Sequence, residues 1–144
     1  MARTPAELAT VLVEAFGRPD EIAAVLAEDV VWWISPTIPP EIMDNVSTGR
    51  ETIRANMRRV FSVLYKGETM KADVHSAISD GTQGAVRFTL TGEFPNGGKY
   101  SNEYCVYVDT RDGEISRVWE YVDAAWAVIQ MQQAGIDIAP AGSV

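Results

Sequence analysis

The stretch Asp112-Gly113-Glu114-Ile115-Ser116-Arg117-Val118-Trp119-Glu120-Tyr121-Val122-Asp123 opens on a turn dipeptide and continues as an alternating run, so it reads as the second arm of a β-hairpin. One face of that strand presents Val118, Glu120 and Val122, and the other Arg117, Trp119, Tyr121 and Asp123. A glutamate between two valines is the residue to be explained. Upstream, runs over 69–79, 84–94 and 99–109 keep the same period of two, and Asp80-Gly81, Pro95-Asn96-Gly97-Gly98 and Arg111-Asp112-Gly113 punctuate them as hairpin turns. Four such runs predict an antiparallel meander. A helix from Ala124 to Gln133, with Trp126 and Ile129, and a tail, GIDIAPAGSV, follow it.

The first half of the chain has helical spacing instead. Thr4-Pro5-Ala6-Glu7 sets out a capping box before Leu8, Val11, Leu12, Ala15 and Phe16, and a short helix from an Asp20 N-cap to Ala27 comes next. Asp29–Ser35, DVVWWIS, reads as a strand by its β-branched and aromatic content. The prolines of PTIPPEIMDNVST, residues 36–48, predict a long loop, either a lid or a crossover that packs Ile38, Ile42 and Met43. A second capping box, Thr48-Gly49-Arg50-Glu51, begins the main amphipathic helix, with Ile53, Met57, Val60, Phe61 and Leu64 as its buried stripe. The expected class is a single α+β domain, residues 1–144, with a curved antiparallel sheet around a long helix and further helices at both termini.

Composition excludes several functions. A net charge of −8 without a basic cluster argues against nucleic acid and against an anionic membrane surface. Cys105 is the single cysteine, so no internal disulfide can form, and acidic residues interrupt every apolar run. A cytoplasmic protein is expected. His75 is the only histidine and has no partner in sequence for a triad or a metal site, so neither metal nor cofactor is expected. Asp123 suits either a helix N-cap or a base.

Two readings of the glutamate stay open on spacing alone. If the polar face of the meander points inward, Arg87, Glu103 and Glu120 meet in a cavity beside Cys105, Val118 and Val122. Glu120 would then be a desolvated acid or base. If that face points outward, Glu120 and Arg87 form a solvated cross-strand pair.

The order of elements, the tract AEDVVWWISPTIPP, the GRETI helix start and DGEISRVWEYVD together resemble the NTF2-like superfamily, in its SnoaL-like polyketide cyclase and limonene-epoxide hydrolase branch. The resemblance spans nearly the whole chain. It implies a cone-shaped sheet closed by helices around a deep apolar pocket, with Trp32, Ile34, Arg87, Thr89, Glu103, Cys105, Val118 and Glu120 lining it. Phe16, Met57, Val60, Leu64 and Val122 complete the implied substrate-binding set. In the epoxide hydrolases an arginine bridges two aspartates while a tyrosine and an asparagine hold the attacking water. Arg87 and Glu120 match the arginine and one aspartate, Thr89 replaces the other, and Trp32 and Ile34 stand where the water-holding pair would be.

The implied function is cofactor-independent acid/base catalysis on a hydrophobic, oxygenated small molecule, polyketide- or terpenoid-like. Glu120 is the expected acid or base, Arg87 its orienting cation and Glu103 a second proton-transfer group. Cyclisation or isomerisation comes first, epoxide opening second, and a non-catalytic binding protein or dimeric adaptor is the rival from another class. A homodimer is expected through the outer sheet face, with Trp33, Phe88, Tyr104 and Trp119 as candidate contacts.

Overall fold

A computed structural model describes residues 2–139. The chain begins with α1, Pro5–Glu14, whose capping box forms as expected: the Thr4 hydroxyl accepts from the Glu7 amide and the Glu7 carboxylate accepts from the Thr4 amide. Helix α2, Pro19–Ala24, starts one residue before the expected cap because Pro19 supplies a preset φ at its first turn, which leaves Asp20 inside the helix. Strand β1, Leu26–Ile34, follows, and the proline-rich segment after it returns as a three-residue strand, β2, Val46–Thr48.

Helix α3, Arg50–Arg59, lacks the expected capping box. Thr48 is committed to β2, and Gly49, at φ +97°, occupies the N-cap with no side-chain bond. The helix runs on into a π-helical turn, Val60–Leu64, in which the Tyr65 amide bonds the Val60 carbonyl at 3.0 Å. That turn inserts one residue into the helical repeat. A 3₁₀ turn, Gly67–Thr69, leads into the meander of β3, Lys71–Ser79, β4, Gln83–Glu93, β5, Lys99–Arg111, and β6, Glu114–Val122. Helix α4, Ala124–Gln133, coincides with its expected span, and Asp123 is its N-cap, accepting from the Trp126 amide at 3.0 Å. Residues 136–139 are irregular, and the rest of the expected tail lies outside the described residues.

The six strands form one curved sheet in the order β2-β1-β6-β5-β4-β3, antiparallel throughout except for the parallel pair β1/β6. The fold is α+β, as the alternation implied. Helix α1 is the one laid across the concave face, against β3, β4, β5 and β6, while α3 packs on α2, β1 and β2. Close approach of α1 depends on Gly84 in β4: a Cβ there would meet the Pro5 carbonyl carbon at 2.7 Å. The core fills the space between this face and the helices, with Leu12, Ile22, Trp32, Ile53, Phe88 and Met131 among its fully enclosed members.

Candidate active site

Strands β1 and β6 lie side by side, with Trp32 opposite Val118 and Ile34 opposite Glu120. Val118 and Glu120 both turn inward, because β6 is buried at those positions and open at Arg117 and Tyr121. Glu120 is only 6% exposed. Its Oε1 accepts a 2.9 Å hydrogen bond from the Trp32 indole N–H, and Oε2 has no protein partner among the described residues. Burial pushes the carboxyl from 4.5 up to about 7, and the indole bond acts in the opposite direction.

The indole can only donate, so Oε1 remains an acceptor in both protonation states. A carbonyl oxygen accepts better than a carboxylic hydroxyl, so the proton of neutral Glu120 favours Oε2.

Glu120 opens on a narrow cavity of about 40 Å³. Ile34, Leu90 and Val122 of the sheet, Met57 of α3, Val60 of the π-helical turn, and Phe16 beyond α1 form much of the wall. The loop contributes Ile38, Ile42 and Met43, held in place where the Arg59 guanidinium donates to the carbonyls of Glu41 (2.5 Å) and Ile42 (2.7 Å). The loop thus packs its apolar residues and walls the cavity at once. No lining residue is cationic.

The remaining polarity comes from tyrosines. Tyr65, Tyr100 and Tyr104 all reach the wall, with Tyr100 and Tyr104 hydroxyls 2.6 Å apart. Asn102 Nδ2 donates to the Tyr100 hydroxyl at 3.2 Å and to the Asp123 carbonyl at 2.9 Å, while its Oδ1 accepts from the Glu103 amide at 2.8 Å. Burial raises Tyr65 and Tyr104 well above the usual phenol range and raises Tyr100 less, so all three stay protonated donors near neutrality.

Several expected positions are corrected. Arg87, Thr89, Glu103 and Cys105 lie on the outer face of the sheet, because β4 and β5 bury the opposite set, Val86, Phe88, Leu90 and Asn102, Tyr104, Val106. The register places Glu120 across from Val106 and leaves Arg87 with Cys105. Neither Arg87 nor Glu103 shares the cavity with Glu120. Glu103 instead accepts from the Thr89 hydroxyl at 2.8 Å, and His75 Nε2 lies 2.6 Å from that same hydroxyl.

Trp32 and Val118 are inward but sit beneath the wall, in the core. Leu64, at the end of the π-helical turn, packs against the core and does not line the cavity, whereas Tyr65, the next residue, does. Phe88 and Tyr104, expected on the outer face, are interior. Phe16, Ile34, Met57, Val60 and Val122 line the cavity.

Residues 11–118 match the SnoaL-like domain family. The chain belongs to that family. Among solved structures, this SnoaL-like chain is similar to TerC co-crystallised with polyporic acid (17% identity, 90% of this chain and 99% of that one, TM-score 0.76). It is also similar to an NTF2-like protein of unknown function from Burkholderia pseudomallei K96243 (19%, 89% and 98%, TM-score 0.75). A candidate polyketide cyclase from Xanthomonas campestris pv. campestris aligns at 22% identity over 85% of this chain and 93% of that one, with a TM-score of 0.64. These identities establish the NTF2-like fold and not a reaction. A search of curated proteins finds no match. Among the described residues, no three His, Cys, Asp or Glu side chains are placed to hold a metal, and no helix is long and apolar enough to cross a membrane.

The raised carboxyl gives a testable stability profile. Folded Glu120 holds its proton up to about 7 while the unfolded group releases it near 4.5, so its contribution is full below 4.5 and is lost as pH rises through about 7. Glu120→Gln keeps the acceptor for Trp32 and removes the buried charge. The substitution is expected to be near neutral at acidic pH and to stabilise the fold above pH 7 by an amount on the order of 2–3 kcal/mol, read from urea unfolding across pH. Equal destabilisation at all pH values would contradict the desolvated carboxyl.

Proposed function

We propose that the SnoaL-like chain catalyses proton transfer beside a carbonyl on an apolar, oxygenated small molecule, polyketide- or terpenoid-like, leading to isomerisation or ring closure without a cofactor. The observation behind this reading is a single buried carboxyl, raised to about 7, whose free oxygen faces an apolar cavity. A group with that value is populated in both forms near neutrality, so one side chain can remove a proton and return it. Carboxylate Oε2 takes the proton from the carbon, the C–H electrons form the enolate double bond, and the carbonyl electrons move to oxygen. Return of the proton at another carbon completes an isomerisation; attack of the enolate carbon on a second carbonyl closes a ring, and the proton on Oε2 passes to the alkoxide so formed.

The arginine-bridged set implied for epoxide hydrolysis is not assembled around this cavity, since Arg87 is on the outer face and the Trp32 N–H is engaged by Glu120. The chemistry is therefore assigned to carbonyl-linked proton transfer rather than to epoxide opening. Deuterium incorporation into 2-tetralone, followed by NMR in heavy water, tests it without knowledge of the natural substrate. The protein is expected to accelerate exchange beside the carbonyl, with a rate that rises through a pH of about 7. Glu120→Gln should lower that rate by roughly a hundredfold or more. An undiminished rate in the variant would overturn the assignment.

We place a second copy of the chain on the outer sheet face. Trp33 and Tyr121 meet there with ring centroids 4.9 Å apart, Tyr107 meets Trp119 at 5.6 Å, Arg117 lies over Trp119, and Tyr121 is 49% exposed. Arg87 and Glu103 add both signs of charge to the same face, which suits a two-fold contact. Sedimentation at micromolar concentration is expected to give a dimer, and a monomer would remove this role.

A further inference from the structure

The cavity contains a polar point that the Glu120 chemistry does not use. Asn102 is fixed in orientation by the backbone on both sides: its oxygen faces the Glu103 N–H and its nitrogen faces the Asp123 carbonyl. The nitrogen must then be the donor in the 3.2 Å contact with Tyr100, and the Tyr100 oxygen the acceptor. Tyr100 and Tyr104 bring one hydroxyl hydrogen each, and the single bond between them, 2.6 Å long, consumes one. The Tyr65 hydroxyl also reaches Tyr100 and brings a third hydrogen, so whichever way these bonds point at least one hydroxyl hydrogen remains. A hydroxyl that accepts a hydrogen bond becomes a better donor, so Asn102 favours Tyr100 donating to Tyr104 and leaves the spare hydrogen on Tyr104. Among the described residues, Tyr104 has no other hydrogen-bond partner, and both tyrosines line the cavity.

We infer that the Tyr100–Tyr104 pair, directed by Asn102, is a ligand subsite that donates a hydrogen bond to a carbonyl or enolate oxygen, so that the ligand is an apolar molecule held by an acceptor oxygen at Tyr104 while its reacting C–H faces Glu120. This inference rests on the reading of the cavity as a site for an oxygenated apolar ligand, and it adds where the oxygen sits and which group recognises it. A donor at this place also selects against a cationic ligand. An ammonium could pair with ionised Glu120 but would meet an O–H hydrogen at Tyr104 unless the chain reversed against Asn102.

The Tyr104 ring stacks on Phe88 at 5.1 Å and meets Phe16 edge-on at 6.4 Å, so Tyr104→Phe removes the hydroxyl while retaining the packing. The probes are 2-acetonaphthone and 2-isopropenylnaphthalene, which match in shape and differ in the acceptor oxygen. Calorimetry is done well above pH 7, where Glu120, at about 7, is ionised and donates nothing. The wild-type protein is expected to bind the ketone roughly fivefold tighter than the hydrocarbon. Tyr104→Phe should remove most of that preference and leave the hydrocarbon affinity unchanged. The Tyr65→Phe/Tyr100→Phe/Tyr104→Phe triple variant, in which no other cavity tyrosine can substitute as donor, should remove all of it.

Equal affinities in the wild-type protein, a preference left whole by Tyr104→Phe, a preference that survives the triple variant, or no binding of either probe would each overturn the subsite. The exchange rate of Glu120→Gln addresses the acid/base reading alone, and the ketone preference at high pH addresses the tyrosine pair alone.

Discussion

The hydrogen bond from Trp32 to Glu120 holds the site together. It joins two parallel neighbours, β1 and β6, across the inward face of the sheet, where the surroundings are apolar and no cation offsets the carboxylate. A carboxyl in such a place holds its proton to about 7 because water no longer stabilises the anion. One donor fixes the side chain without neutralising it. The bond also decides which oxygen is available, since the indole occupies Oε1 and leaves Oε2 to the cavity.

Much of the remaining architecture shapes the space in front of that oxygen. Helix α1 covers the far strands and can approach closely because Gly84 has no side chain. The π-helical turn after α3 ends at Leu64 and is followed by Tyr65, whose ring lines the cavity while Leu64 packs against the core. Arg59 then fastens the proline-rich loop against the cavity by its backbone carbonyls, which leaves the loop's isoleucines and Met43 free to face inward. Two sources of polarity result, a carboxyl on β6 and a tyrosine chain on β5, in an otherwise apolar enclosure.

The fold was legible because its signals are local and periodic. Alternation and turn dipeptides located β3 to β6, and the capping box located α1. The site was legible only in part. Glu120 and Val122 follow from the parity of β6, and the valines flanking Glu120 already marked that face as buried. Arg87 and Glu103 were misplaced by choosing the polar face of β4 and β5 as the inward one, although Val86, Phe88 and Leu90 pointed to the opposite choice. Alternation fixes each strand's two faces, but only register across the hairpins says which faces coincide. Tyr65 had no sequence signal at all, because a π-helical turn breaks the 3.6-residue period on which the stripe was read. Tyr100 and Tyr104 share parity with Asn102 on β5, and the apolar neighbours Val106 and Val108 could have revealed them.

The most direct measurement is the titration of the Glu120 carboxyl by NMR on selectively labelled protein, with Glu120→Gln to assign the signal. A midpoint of about 7 is the result expected for a desolvated acid held by one indole N–H. A midpoint at or below the ordinary 4.5 would mean a solvated or charge-paired carboxylate, and the acid/base site described above would not exist.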